Sequence, residues 1–256
     1  MSPKEAVKIC VFAGEIMLTN GAETYRVEDT MRRILNNLDY ASDTFVVPSG
    51  IFVSTVGGGG EVVSLIRRVR ARSNNLEKVA LINQFSRDLA GEKINFKTAY
   101  EKLESIDKKQ TYAYITRVIA SGAAVGSFAF MFGGGPLEAI GSLIIGVAVF
   151  CLTHLLKSRS APNMIINMLA GAAIALSALI IANMKIGISL DVMIIASLMP
   201  YVPGLVLTNA VRDIFEEDFL SGLSRLAEAI LISLSLAVGV GSCLKMWIYI
   251  FGGLLL

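Results

Sequence analysis

Apolar positions recur at helical spacing from residue 4 to residue 19, at Val7, Cys10, Val11, Gly14, Met17 and Leu18. Asn20-Gly21 then stops the helix and turns the chain. Val27, Met31, Ile34, Leu35 and Leu38 draw the stripe of a second helix. Next come β-rich runs: Phe45-Val46-Val47, Ile51 to Val56, and Val62 to Ile66. Pro48-Ser49-Gly50 and Gly57 to Gly60 separate them, as in hairpins. Residues 75–90 and 96–107 return to helical spacing. The pattern predicts a small α+β domain, of order ααβββαα, over residues 1–110.

Beyond residue 110 the apolar stretches lengthen. Spanning a bilayer takes about 20 mostly apolar residues, and segments at about 115–132, 137–156, 162–183, 188–207 and 226–250 qualify. The expected fold is therefore an α-helical bundle of five transmembrane helices (residues 111–256), preceded by the small cytoplasmic α+β domain. Composition fits. Of 256 residues, 54% are hydrophobic and 17% charged, below the roughly 25% of soluble globules. Residues 1–110 hold 16 Lys/Arg and 14 Asp/Glu, and the longer remainder only seven of each. A net charge of +2 gives no basic excess for nucleic acid, and the hydrophobicity excludes a disordered chain.

The opening MSPKEAVKIC lacks the apolar core of a signal peptide. Cys10, Cys151 and Cys243 lie far apart, and a single histidine excludes a multi-histidine metal site within one subunit. Nothing calls for a metal or a cofactor. Lys108, Lys109, Arg117, Lys157, Arg159, Arg212 and Arg225 flank the spans on the N-terminal side, against Lys185 and Lys245 on the other. That bias puts the N-terminus in the cytoplasm and, after five spans, the C-terminus outside a cell (inner) membrane.

The most informative stretch runs from Met199 to Asp213. Pro200, Pro203 and Gly204 interrupt the fourth apolar segment, and each proline removes a backbone donor. Freed carbonyls at membrane depth need protein or water partners, and such breaks often build substrate sites; a simple proline kink is an equal reading. Thr208, Asn209, Arg212 and Asp213 continue the segment, with Asn209 and Asp213 four apart on one helical face. Phe215 to Gly222 reads as a cytoplasmic loop, and Arg225 and Glu228 open the fifth span. These residues form the candidate transport site, with Arg212 or Arg225 facing a substrate carboxylate. The Gly57–Gly60 run leads into a strand and reads as a hairpin, not a phosphate loop. The arginine run from Arg67 reads as a solvated face.

Asn20-Gly21-Ala22-Glu23-Thr24-Tyr25-Arg26-Val27-Glu28 resembles the N-terminal signature of the threonine/serine exporter (ThrE-type) family. The strand Pro48 to Ser54 and the block with Arg68, Arg72, Asn75 and Val79 are similar to its next motifs. Pro203-Gly204 through Asp213, and Asp218 through Ala229, resemble two more, in the same order. Tyr201, and Glu216-Glu217-Asp218 where Gly-Asp is commoner, depart from the pattern.

The resemblance implies a cytoplasmic domain joined to a membrane translocator. It also implies the larger subunit of a split, succinate-type exporter, needing a second small membrane subunit. Gly21, Glu23, Arg26, Glu28, Arg72 and Asn75 are then motif residues of the cytoplasmic domain. The expected partners are the lipid bilayer, a small polar metabolite (threonine, serine or a dicarboxylate) and that second subunit, with room for a homo-oligomer. Two other classes stay open, a membrane-anchored enzyme using Glu23, Arg26 and Glu28 as acid/base groups, and a ligand sensor. No nucleophile–base pair supports the enzyme.

Overall fold

The computed structural model describes residues 1–70, 73–91, 94–109, 112–184 and 187–252. It divides into two compact units. One comprises Met1–Gln110 with Gly204–Glu228, the other Thr111–Pro203 with Ala229–Leu256.

The first unit is built around helix α1 (Pro3–Thr19). Ser2 starts it: its hydroxyl accepts the Glu5 N–H at 3.3 Å, while its own N–H donates to the Glu5 carboxylate at 2.8 Å. This reciprocal cap satisfies two amides that a helix leaves open, and Pro3 needs no donor there. Ala6, Ile9, Cys10, Ala13 and Met17 are fully buried. A helix buried this way needs cover on several sides. It has it from α2 (Thr24–Asn37), α3 (Leu76–Asp88), α4 (Phe96–Lys108) and an antiparallel sheet.

The sheet has order β1 (Ser42–Val47), β2 (Gly50–Val56), β3 (Val62–Arg68). Val47 pairs with Gly50, so Pro48-Ser49 is a two-residue hairpin loop. Val46, Ile51 and Val53 join the core around α1, while Phe45, Phe52 and Ile66 are exposed. Asn75 and Asn95 cap α3 and α4 by accepting the amides of Lys78 and Thr98. Helix α9 (Gly204–Phe215) and the opening of α10 (Phe219–Phe251) complete the unit.

The second unit holds α5 (Tyr114–Met131), α6 (Pro136–Ser158), α7 (Asn163–Ala182), α8 (Leu190–Leu198), the 3-10 turn Met199–Tyr201 and the rest of α10. Its helices approach through glycines. A Cβ on Gly126 of α5 would lie 3.1 Å from the Ala139 carbonyl of α6, and one on Gly146 of α6 2.9 Å from Val125. Between α7 and α10, a Cβ on Gly171 would lie 2.5 Å from the Leu236 carbonyl and one on Gly239 2.9 Å from the Ala172 nitrogen. Small residues at crossings are how helices pack when apolar burial alone gives no preference. Ile145, Ile174, Leu179 and Met193 fill the core, while Ile144, Ile180, Leu234 and Val238 are exposed.

Among the described residues of the whole chain, four helices are long and apolar enough to cross a membrane, or five if the broken pair Leu190–Tyr201 plus Gly204–Phe215 counts as one span. The segment expected as one span at about 188–207 is therefore two helices. Val202 is extended (φ −63°, ψ 132°), the conformation that a following proline imposes. The loop expected over Phe215–Gly222 is also shorter, because α10 starts at Phe219. Asp218 accepts the Ser221 amide at 3.2 Å and so nucleates that helix early.

Candidate functional site

Where α1 ends, Gly21 takes φ +92°, a conformation costly for a residue with a Cβ. The turn leaves its carbonyl free to accept the Asn209 side-chain amide at 3.0 Å. The next carbonyl, of Ala22, accepts an Arg225 guanidinium N–H at 2.9 Å. Glu23 then precedes α2 in extended conformation, yet its side chain makes no capping bond. It accepts instead from Arg212 at 2.5 Å and from Arg26 at 3.4 Å.

The amides at the start of α2 thus need an acceptor. Asp213 supplies it from 189 positions away. Its carboxylate accepts the Thr24 N–H at 3.1 Å on one oxygen and the Thr24 hydroxyl at 3.1 Å on the other. The Arg225 Nε lies 2.9 Å from that second oxygen. Asp213 and Thr24 are fully buried and Arg225 is 8% exposed. A carboxylate can be buried at this depth because a helix N-terminus, a hydroxyl and a guanidinium all face it. Asn209 and Asp213 reach this network together because they lie one turn apart on α9.

Two carboxyls of the same signature behave oppositely. Burial works to raise Glu23, but its hydrogen bonds and the charges of Arg26 and Arg212 outweigh that and hold it below the ordinary glutamate range. Burial pushes the Glu28 carboxyl up, opposed by the Val46 amide it accepts at 2.7 Å. Glu28 thereby ties α2 to β1.

The expected site residues therefore sort differently from the sequence-based grouping. Asn209, Arg212, Asp213 and Arg225, expected beside the helix break, are bound to residues 21–24 of the N-terminal signature. Arg225 is enclosed by these partners, whereas Arg212 keeps 56% of its side chain exposed. Thr208 donates its hydroxyl to the Leu205 carbonyl of its own helix. Glu228 is half-buried and ends the first unit. Pro200 lies in the 3-10 turn and Pro203 ends the first segment of the second unit, while Gly204 opens α9. Asn75 caps α3 and donates its backbone N–H to the Asn20 carbonyl at 3.1 Å. Arg72 lies outside the described residues.

Thr24 is the partner that the sequence reading passes over. Its signal was its place as first residue of a helix whose preceding glutamate cannot cap it. Among the described residues, no group of three or more His, Cys, Asp or Glu could hold a metal ion. The arrangement is a latch: one arm, residues 204–228, closed by charge and hydrogen bonds onto the α1–α2 turn of the same unit.

The chain matches the family described as "Putative threonine/serine exporter" (ThrE) over residues 8–247. It is 24% identical over 245 residues to the "Probable succinate transporter subunit YjjP" of Klebsiella aerogenes, covering 95% of each chain. To the protein of that name in Escherichia coli (strain K12) it is 23% identical, again over 95% of each. No solved structure matches. The matched residues take in both ends of the latch and the apolar helices as far as residue 247. This multi-pass membrane protein belongs to the threonine/serine exporter family.

Proposed function

We propose that the chain is one subunit of an ion-gradient-driven exporter of small polar metabolites, threonine and serine or dicarboxylates such as succinate. In this reading it is not an enzyme. It has five spans, the broken pair forming the fourth, with a cytoplasmic N-terminal domain and an outside C-terminus. A second small membrane subunit completes it. The observation that carries the reading is the latch: the two signature blocks, around Glu23 and around Asp213, meet in one buried network. The second block continues directly from the break at Pro200–Gly204. Freed backbone groups at that break, with Thr208, Asn209, Arg212, Asp213, Arg225 and Glu228 following, would replace the hydration a polar substrate loses. The companion subunit is supported by relatives named as transporter subunits.

The test is efflux of labelled succinate and labelled threonine from cells carrying the chain alone, or together with a candidate small multi-span membrane subunit from the same organism. Export of one substrate only when both are present is expected. Export by the chain alone overturns the two-subunit reading, and no export of either substrate by the pair overturns the carrier.

A further inference from the structure

A groove of about 440 Å³ lies in the first unit between α2 and α3. Its polar walls are Tyr25, Arg26, Asp29 and Arg33 from α2, with Asn83 and Arg87 from α3. Arg26, Asp29 and Arg33 follow at i, i+3 and i+7 and so share one face of α2; Asn83 and Arg87 are one turn apart on α3. Three guanidinium groups thus border one cavity that holds a single carboxylate.

Their protein partners leave that charge incompletely matched. Asp29 is taken by Arg33 at 2.6 Å. Arg26 reaches a carboxylate only at the long distance of 3.4 Å, to Glu23, which Arg212 already holds at 2.5 Å. Arg87 donates to the neutral Gln84 amide at 2.7 Å and has no acidic partner among the described residues. The Asn83 oxygen accepts the Thr30 hydroxyl at 2.9 Å, which leaves its NH2 as a further donor. The volume lies in the range of small-molecule sites. Planar guanidinium forks match carboxylate and phosphate oxygens.

We propose that this groove binds a small oxyanion carrying two negative charges, held by Arg26, Arg33 and Arg87 with Asn83 as a neutral donor. The doubly charged group is either a pair of carboxylates on a short frame or one phosphate. Because Arg26 also reaches Glu23, the bound anion competes for it at the edge of the latch. The proposal does not rest on the transport reading, since binding is measured without transport.

The experiment is calorimetric titration of the full chain, in nanodiscs of neutral lipid at low ionic strength, with succinate and separately with inorganic phosphate. Saturable binding of at least one is expected, and which one binds identifies the frame. Arg87→Gln and Arg33→Gln should each weaken it about tenfold, the loss of roughly one charge-assisted pair. Asp29→Asn frees Arg33 from its competitor and should tighten binding several-fold, a gain that misfolding cannot produce. No saturable binding of either anion overturns the proposal. So does binding that is unchanged in Arg87→Gln and Asp29→Asn, which would place it at another site.

Discussion

The latch of the first unit and the helix crossings of the second hold their parts together by opposite means. At the latch, contact is made by long polar side chains with matched partners. Arg225 alone spans from the Ala22 carbonyl to the Asp213 carboxylate. At the crossings, contact is made by having no side chain at all, with Gly171 and Gly239 letting α7 and α10 touch backbone to backbone. The first kind of contact is directional, because each bond needs its partner at a set distance and angle. The second is a matter of shape, and it fails when a methyl group is added.

The largest expected effect breaks the latch. Asp213→Ala strands Arg225 without its carboxylate and removes the acceptor for Thr24; unpairing a buried ion in this way costs about 3–5 kcal/mol. Thermal unfolding of the purified chain measures the loss. Hydrogen exchange at the Thr24 amide should rise specifically, since that N–H donates to Asp213. The double replacement Asp213→Leu with Arg225→Met removes both charges together and should come far closer to wild type. Equal damage from the single and the double substitutions would mean that packing, not charge, closes the arm.

A smaller effect tests the crossings. Gly239→Ala puts a methyl 2.9 Å from the Ala172 nitrogen, with the Met168 carbonyl closer still. Overpacking of this kind costs about 1–3 kcal/mol. Gly204→Ala is the control, because a Cβ there has nothing within 4 Å. If both substitutions melt alike, close backbone approach is not what holds α7 to α10.

Much of this was legible in the chain because it is local. The stop at Asn20-Gly21, the hairpin at Pro48-Ser49 and the interruption at Pro200–Pro203 follow from single-residue backbone rules. The apolar segments follow from length and composition. The latch was not legible, because periodicity reports which face of a helix is buried and not what covers it. Asn209 and Asp213 were correctly on one face, yet their partners stand almost 190 positions earlier. Their nearness in sequence to the apolar segments says nothing of these partners, which lie at the α1–α2 turn. Thr24 left only a partial mark: a poor capping residue before the helix shows that an acceptor is needed, and not which element supplies it.

The smallest expected effect concerns a place in the first unit where glycine would serve and is absent. Glu217 ends α9 with φ +66°. Its N–H donates to the Ile214 carbonyl at 3.1 Å, and the Asp218 N–H closes back on the Asp213 carbonyl at 2.9 Å. Those two bonds define the Schellman ending, whose left-handed position is usually glycine. A residue with a Cβ costs roughly 1–2 kcal/mol there. Part of that returns on substitution, because glycine gains freedom in the unfolded chain. Glu217→Gly should therefore stabilise by about 1 kcal/mol and raise the melting temperature by about 2–4 °C for a chain of this size. Charge is a competing cause, since a carboxylate at a helix C-terminus opposes the helix dipole. Glu217→Gln separates them: it removes the charge and keeps the Cβ. If the glutamine variant gains as much as the glycine one, the dipole and not the backbone is the cost. If only glycine gains, the strain is conformational, and the turn that presents Asp213 to Thr24 is held at that cost.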